Sequence, residues 1–113
     1  MSTTADKPVY VPKLNTNRCT FAGKVLRKNF KYSTNGKAFG SVQVEMTGEK
    51  FRTTVWLKFF GETAEQGEAE IQDSGNYWFF THMKNSSFED KTTGERKFRD
   101  EFIVDKFGPV TEE

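Results

Sequence analysis

Three stretches of this 113-residue chain interleave flat rings with cations. They are Arg27-Lys28-Asn29-Phe30-Lys31-Tyr32, Phe51-Arg52 with Trp56, Lys58 and Phe60, and Trp78, Phe80, His82 and Lys84 running on to Phe88. A ring can lie against a nucleobase and a cation can neutralise a phosphate. Such stacking contributes ~1–3 kcal/mol per base and accepts any base, because every base has a π-face. Lys37, Lys91, Arg96 and Arg99 place further cations in or beside turn-like segments. Together these residues form a candidate contact set for single-stranded nucleic acid.

Bond-making chemistry is poorly supplied. His82 is the only histidine and Cys19 the only thiol. No serine sits in a nucleophile-elbow pattern, and no glycine-rich phosphate loop of the Walker or dinucleotide type is present. Glu89-Asp90 and Asp100-Glu101 are adjacent carboxylates, which a strand sends to opposite faces, a poor geometry for sharing a metal. No enzyme activity, metal site or cofactor is expected.

Composition narrows the scaffold. Charged residues make up 29% of the chain and hydrophobic residues 35%, enough for a folded core without any stretch of ~18 apolar residues to span a membrane. With one cysteine and no apolar leader after Met1, a reducing, cytoplasmic setting is expected. Phe occurs 12 times, whereas Leu occurs at three positions and Ile at two. Aromatic and β-branched residues favour strands, so an all-β domain follows. Seventeen aromatic residues exceed what one small core needs, which leaves rings for a surface. The formal net charge of +1 hides a strong separation. Residues 18–60 carry nine cations against two acids, residues 61–75 carry five acids and no cation, and residues 100–113 have a net of −4. A positive surface can therefore exist on a near-neutral molecule.

Period-two alternation and turn residues divide the chain. Residues 1–17, with Pro8 and Pro12, read as an extended arm. Strands are expected at 18–32, with a bulge or bend at Gly23, and at 38–46, 53–60, 76–88 and 97–107. Ser33-Thr34-Asn35-Gly36 and Thr47-Gly48-Glu49-Lys50 mark turns, and residues 89–95 a polar hairpin loop. Residues 61–74 form a short helix, weakened at Gly67, or an acidic loop. Gly108-Pro109 closes the last strand before a short acidic tail. On the third strand Val55, Leu57 and Phe59 share one face, and Trp56, Lys58 and Phe60 the other. On the fourth, Tyr77, Phe79, Thr81 and Met83 oppose Trp78, Phe80, His82 and Lys84. Five strands with one helix between the third and fourth match the order of an oligonucleotide-binding (OB) barrel.

Residues 17–107 resemble the bacterial and phage single-stranded DNA-binding proteins. The opening Asn17-Arg18-Cys19-Thr20-Phe21-Ala22-Gly23-Lys24-Val25 looks like that family's first strand. Tyr32-Ser33-Thr34-Asn35-Gly36-Lys37-Ala38 is similar to its entry into strand two. Leu57-Lys58-Phe59-Phe60-Gly61-Glu62 resembles the strand that ends in Phe-Gly before the helix. Phe88, before an acidic-polar hairpin, stands where the family places a stacking aromatic. The resemblance implies base stacking by Trp56, Phe60 and Phe88 and backbone contacts by Lys84 and Arg27. It also implies a dimer or tetramer and contacts with replication or recombination proteins. Thr54 departs from the family by replacing a common aromatic, and Thr111-Glu112-Glu113 stands in place of a long linker with an acidic tip. The compact form points to a phage or other mobile-element member. The expectation is a non-catalytic protein that coats single-stranded DNA in replication, recombination and repair. Two other readings stay open: a tailless OB-fold accessory module whose rings serve protein contacts, and an RNA-binding OB protein.

Overall fold

The computed structural model describes residues 11–111. Five strands, β1 (Cys19–Tyr32), β2 (Ala38–Thr47), β3 (Arg52–Phe60), β4 (Asn76–Glu89) and β5 (Arg96–Pro109), close into a barrel in the order β1-β2-β3-β5-β4. Helix α1 (Gly61–Glu70) lies between β3 and β4. This is the OB-fold barrel. All pairings are antiparallel except the closure of β3 on β5, which is parallel and spans only Leu57↔Phe102 and Lys58↔Ile103. Away from that short seam β3 and β5 diverge, and the far halves of β4 and β5 project as a two-stranded arm.

The inward residues follow the expected alternation. Val42 and Val44 on β2, Leu57 and Phe59 on β3, and Phe79 on β4 are fully buried, and Val25 and Val104 close the core. Phe59 is its centre, meeting Phe30, Phe79 and Phe107 edge-on at centroid distances of 5.4, 6.2 and 5.8 Å. Such aromatic contacts add ~0.5–1.5 kcal/mol per pair beyond area burial. Met83 leaves the series and is exposed. The β4–β5 register shifts between Phe80 and Thr81, and Met83 lies beyond it, at the root of the arm.

Two glycines have roles other than those expected of them. Gly67 does not break α1; the helix passes through it because the bare Cα admits the Phe30 ring, whose Cζ would lie 2.9 Å from a Cβ there. Gly23 is a site of close approach, where a Cβ would stand 2.3 Å from the Glu45 carbonyl oxygen. The register irregularity itself falls between Val25 and Arg27. Near this point β1 changes partner, pairing with β4 through Lys24 and with β2 from Lys24 onward.

α1 ends without a basic residue in its last turn. Lys28 supplies the missing cation from β1, donating from Nζ to the Glu68 and Ile71 carbonyls, where the helix dipole favours positive charge. Tyr77 fixes the segment that follows, its hydroxyl donating to the Glu70 carbonyl and accepting from the Gln72 N–H at 2.9 Å. Asn17 is tied to β4, its amide oxygen accepting from the Met83 N–H and its Nδ2 donating to the Met83 carbonyl. Residues 1–10 of the expected arm and Glu112-Glu113 of the tail lie outside the described residues. β5 extends through Gly108 to Pro109 instead of stopping before them.

Candidate nucleic-acid interface

The register of β1, β2 and β3 sorts the ring-and-cation stretches by parity. Lys31 pairs with Phe39 and Phe39 with Phe60; Asn29 pairs with Ser41 and Ser41 with Lys58; Arg27 pairs with Gln43 and Gln43 with Trp56. These three rows share the outer face. A cationic edge on β1, Arg27 and Lys31, thus runs beside a polar floor on β2 and a ring-bearing strand, β3. Trp56, Phe60 and Phe39 are 47, 51 and 39% exposed, although each is large and apolar. Sequence reading missed Phe39. Its signal was present, since inward Val42 and Val44 put Phe39, Ser41 and Gln43 outward by the same period of two.

Parity also removes three expected contact residues from this face. Lys28, Phe30 and Tyr32 alternate with Arg27, Asn29 and Lys31, so they turn towards the barrel and α1. Lys28 holds the α1 carbonyls, Phe30 packs on Phe59 and Gly67, and the Tyr32 hydroxyl donates to Glu68 Oε1 at 3.1 Å. That bond to a carboxylate raises the Tyr32 pKa.

The β4–β5 arm presents a second wall. Lys84, Ser86 and Phe88 face the same way as their partners Glu101, Arg99 and Lys97. The Arg99 guanidinium sits 4.6 Å from the Phe88 ring centroid, a cation–π contact that orders both groups. Between this wall and β3 lies a cleft of about 380 Å³ lined by Ser41, Trp56, Lys58, Arg99, Asp100 and Glu101. A neighbouring hollow of about 230 Å³ is lined by Lys31, Phe39, Phe60 and others, and shares Ser41 and Lys58 with it. The two hollows adjoin, and together they are the groove between Phe60 and Arg99.

Electrostatics along the groove are set by fixed pairs. Lys58 donates to Glu101, whose other oxygen accepts from Ser86 Oγ at 2.6 Å. The Lys58 bond first, and the Ser86 bond second, hold the Glu101 carboxyl below its usual range. Arg52 is engaged with Glu45 and Lys97 with Asp90, whose carboxyl is lowered first by the Thr92 N–H and then by Lys97. Arg27, Lys31, Lys37, Lys84, Lys91, Arg96 and Arg99 have no ion pair among the described residues.

The remaining expected residues are scattered around this groove. Lys37 sits in the β1–β2 turn at the Lys31–Phe39 end, where Gly36 takes φ 82°. Lys91 is in the arm's loop, whereas Arg96 pairs with Glu89 on the opposite face of the arm from Phe88 and donates to Ser87 Oγ at 2.9 Å. Phe51 covers Gly48 at the β2–β3 turn, beside Arg52 at the far end of β3. Trp78 and Phe80 lie on a different surface, the outer face of β1, β4 and β5, opposite Ala22 and Thr20. His82, on the same strand, is held by both carboxylate oxygens of Asp105 at 3.0 Å from Nδ1.

No protein-family model matches this chain, and no curated protein matches its sequence.

Proposed function

We propose that this protein binds single-stranded DNA without sequence preference and without catalysis, coating exposed strands in replication, recombination or repair. One observation carries the reading. Solvent-exposed Trp56, Phe60 and Phe39 share the outer face of β1, β2 and β3 with Arg27 and Lys31, which have no ion pair among the described residues, and Arg99, stacked on Phe88, lines the cleft across from Trp56. In an OB barrel the outer face of strands two and three and the loops joining strands one–two and four–five are where oligonucleotides bind. Bases stack on the rings while the cations meet phosphates and release counterions. Stacking on exposed rings accepts any base, which is why no sequence preference is proposed.

The test is a fluorescence titration with oligo-dT, a matched oligo-rU and a duplex at two salt concentrations. Quenching by dT that weakens with salt supports the reading. Equal quenching by rU moves the assignment to an RNA or dual role, because a site indifferent to the 2′-hydroxyl does not separate the two chains. Absence of binding to all three, checked by a label-free method, overturns it.

A further inference from the structure

The outer face of β1, β4 and β5 carries a second ring-and-cation surface that the groove does not use. Phe80 is 48% exposed, and its ring meets Trp78 at a centroid distance of 4.7 Å, tilted by 39°. The Trp78 indole lies over Gly108, where a Cβ would stand 2.5 Å from Cζ2, so the absence of a side chain at 108 lets the indole lie close to the sheet. Around the two rings the neighbours are small or cationic. Across the strands Ala22 and Thr20 flank them on β1, while Gly108 and Lys106 flank them on β5. Beside Phe80 a hollow of about 510 Å³ is lined by Arg18, Thr20, Asp105 and Lys106, among others. Its one acid, Asp105, lies 3.0 Å from His82 Nδ1. Arg18 and Lys106 have no ion pair among the described residues, and neither has Lys24, one row beyond Trp78.

The outer row of β1 runs between the two surfaces. β1 belongs to both halves of the barrel and its outward cations, Lys31, Arg27 and Lys24, run from one to the other. A groove of about 730 Å³ joins Phe51, at the end of β3, to Ala22, Lys24 and Asn76, next to Trp78. Glu45 lines that groove but is engaged by Arg52.

We infer that a single strand leaving the first groove passes Phe51 and Lys24 and stacks again on Trp78 and Phe80, so that one barrel holds the strand on two faces. This rests on the function proposed above. The occupant is a polyanion because three cations without an ion pair among the described residues, Arg18, Lys24 and Lys106, border the rings against a single acid, Asp105. The occluded site is then in the upper part of the ~4–16 nucleotides typical of one OB fold.

The two tryptophans report the two faces separately. Trp78→Phe leaves Trp56 as the only indole, and Trp56→Phe leaves Trp78. With long oligo-dT both indoles are expected to quench and to saturate at the same stoichiometry. Phe80→Ala, an exposed change checked for unaltered circular dichroism, is expected to weaken long oligo-dT at least about fivefold. It is also expected to shorten the occluded site. Lys106→Gln should reduce the log–log salt slope by about 0.7. Quenching of Trp56 with none of Trp78, or a site size unchanged by Phe80→Ala, overturns the second face alone. A doubled sedimentation mass that Phe80→Ala abolishes also overturns it, and assigns the surface to self-association. Failure of both indoles to respond, with no binding in the label-free check, removes the first reading as well.

Discussion

Trp56 lines the cleft and Phe88 is stacked on Arg99, which lines it from the arm, and each ring is exposed enough to leave the core unchanged when truncated. Trp56→Ala with Phe88→Ala is therefore expected to keep the fold and lose about 1–3 kcal/mol of oligo-dT binding per ring. Far-ultraviolet circular dichroism beside a dT titration checks both halves of that statement; unchanged affinity would refute stacking. Glu101 ties the groove to pH. Its carboxyl is depressed by Lys58 and Ser86, so the folded pKa lies below the ordinary 4.5. Stability from this network is fully present above that value and is lost as pH falls through the folded one. Glu101→Gln is expected to flatten the acid side of a plot of Tm against pH. An acid limb unchanged by the substitution would show that the network contributes nothing there.

At the scale of elements, β1 carries the most demands. It supplies cations to the outer groove, closes the barrel against two partners and caps α1 through Lys28. The change of partner brings backbone against backbone at Gly23, where a Cβ would collide with the Glu45 carbonyl. Gly23→Ala is expected to lower stability by at least the ~1–3 kcal/mol of an overpacked site, since the opposing atom is main chain and cannot rotate away. Thermal denaturation reads this directly, and a Tm equal to that of the parent would contradict the close approach. α1 itself has little apolar surface, with Ala64 and Gly67 its buried residues and Ile71 just beyond its end. Its place depends on what reaches it from the barrel: the Phe30 ring, the Lys28 ammonium and the Tyr77 hydroxyl. Lys28→Met keeps the aliphatic stem and removes the cation from the helix end. A loss of about 0.3–1 kcal/mol, smaller in high salt, is expected in chemical denaturation.

Across the whole molecule, charge separation replaces net charge. Four carboxylates ride on α1, at one end of the barrel, whereas Arg27 and Lys31 face outward beside the rings. A formal charge of +1 therefore does not weaken the local field that a phosphate meets. Binding to oligo-dT is expected to fall linearly on a log–log salt plot, with a slope of about −0.7 per phosphate neutralised. Reversing Arg27 and Lys31 together to Glu should reduce that slope, while the same change at Arg96, on the arm face away from Phe88, should not. Slopes that respond equally to both would show the field to be diffuse.

Much of this architecture was legible in the chain itself. Strand positions, the inward set Val55-Leu57-Phe59 and the outward set Trp56-Lys58-Phe60 follow from a period of two, which is a local property of any extended strand. The same rule already separated Arg27 and Lys31 from Lys28, Phe30 and Tyr32, although their contiguous chemistry invited grouping them. Other features needed the closed barrel. Which two strands flank β1, the slip between Val25 and Arg27, and the divergence of β3 from the β5 arm depend on pairings between residues distant in sequence. So does the separation of Trp56 from Trp78 onto different faces: each is an outward tryptophan by local rule, and only the order β1-β2-β3-β5-β4 determines which cations and which rings each one meets.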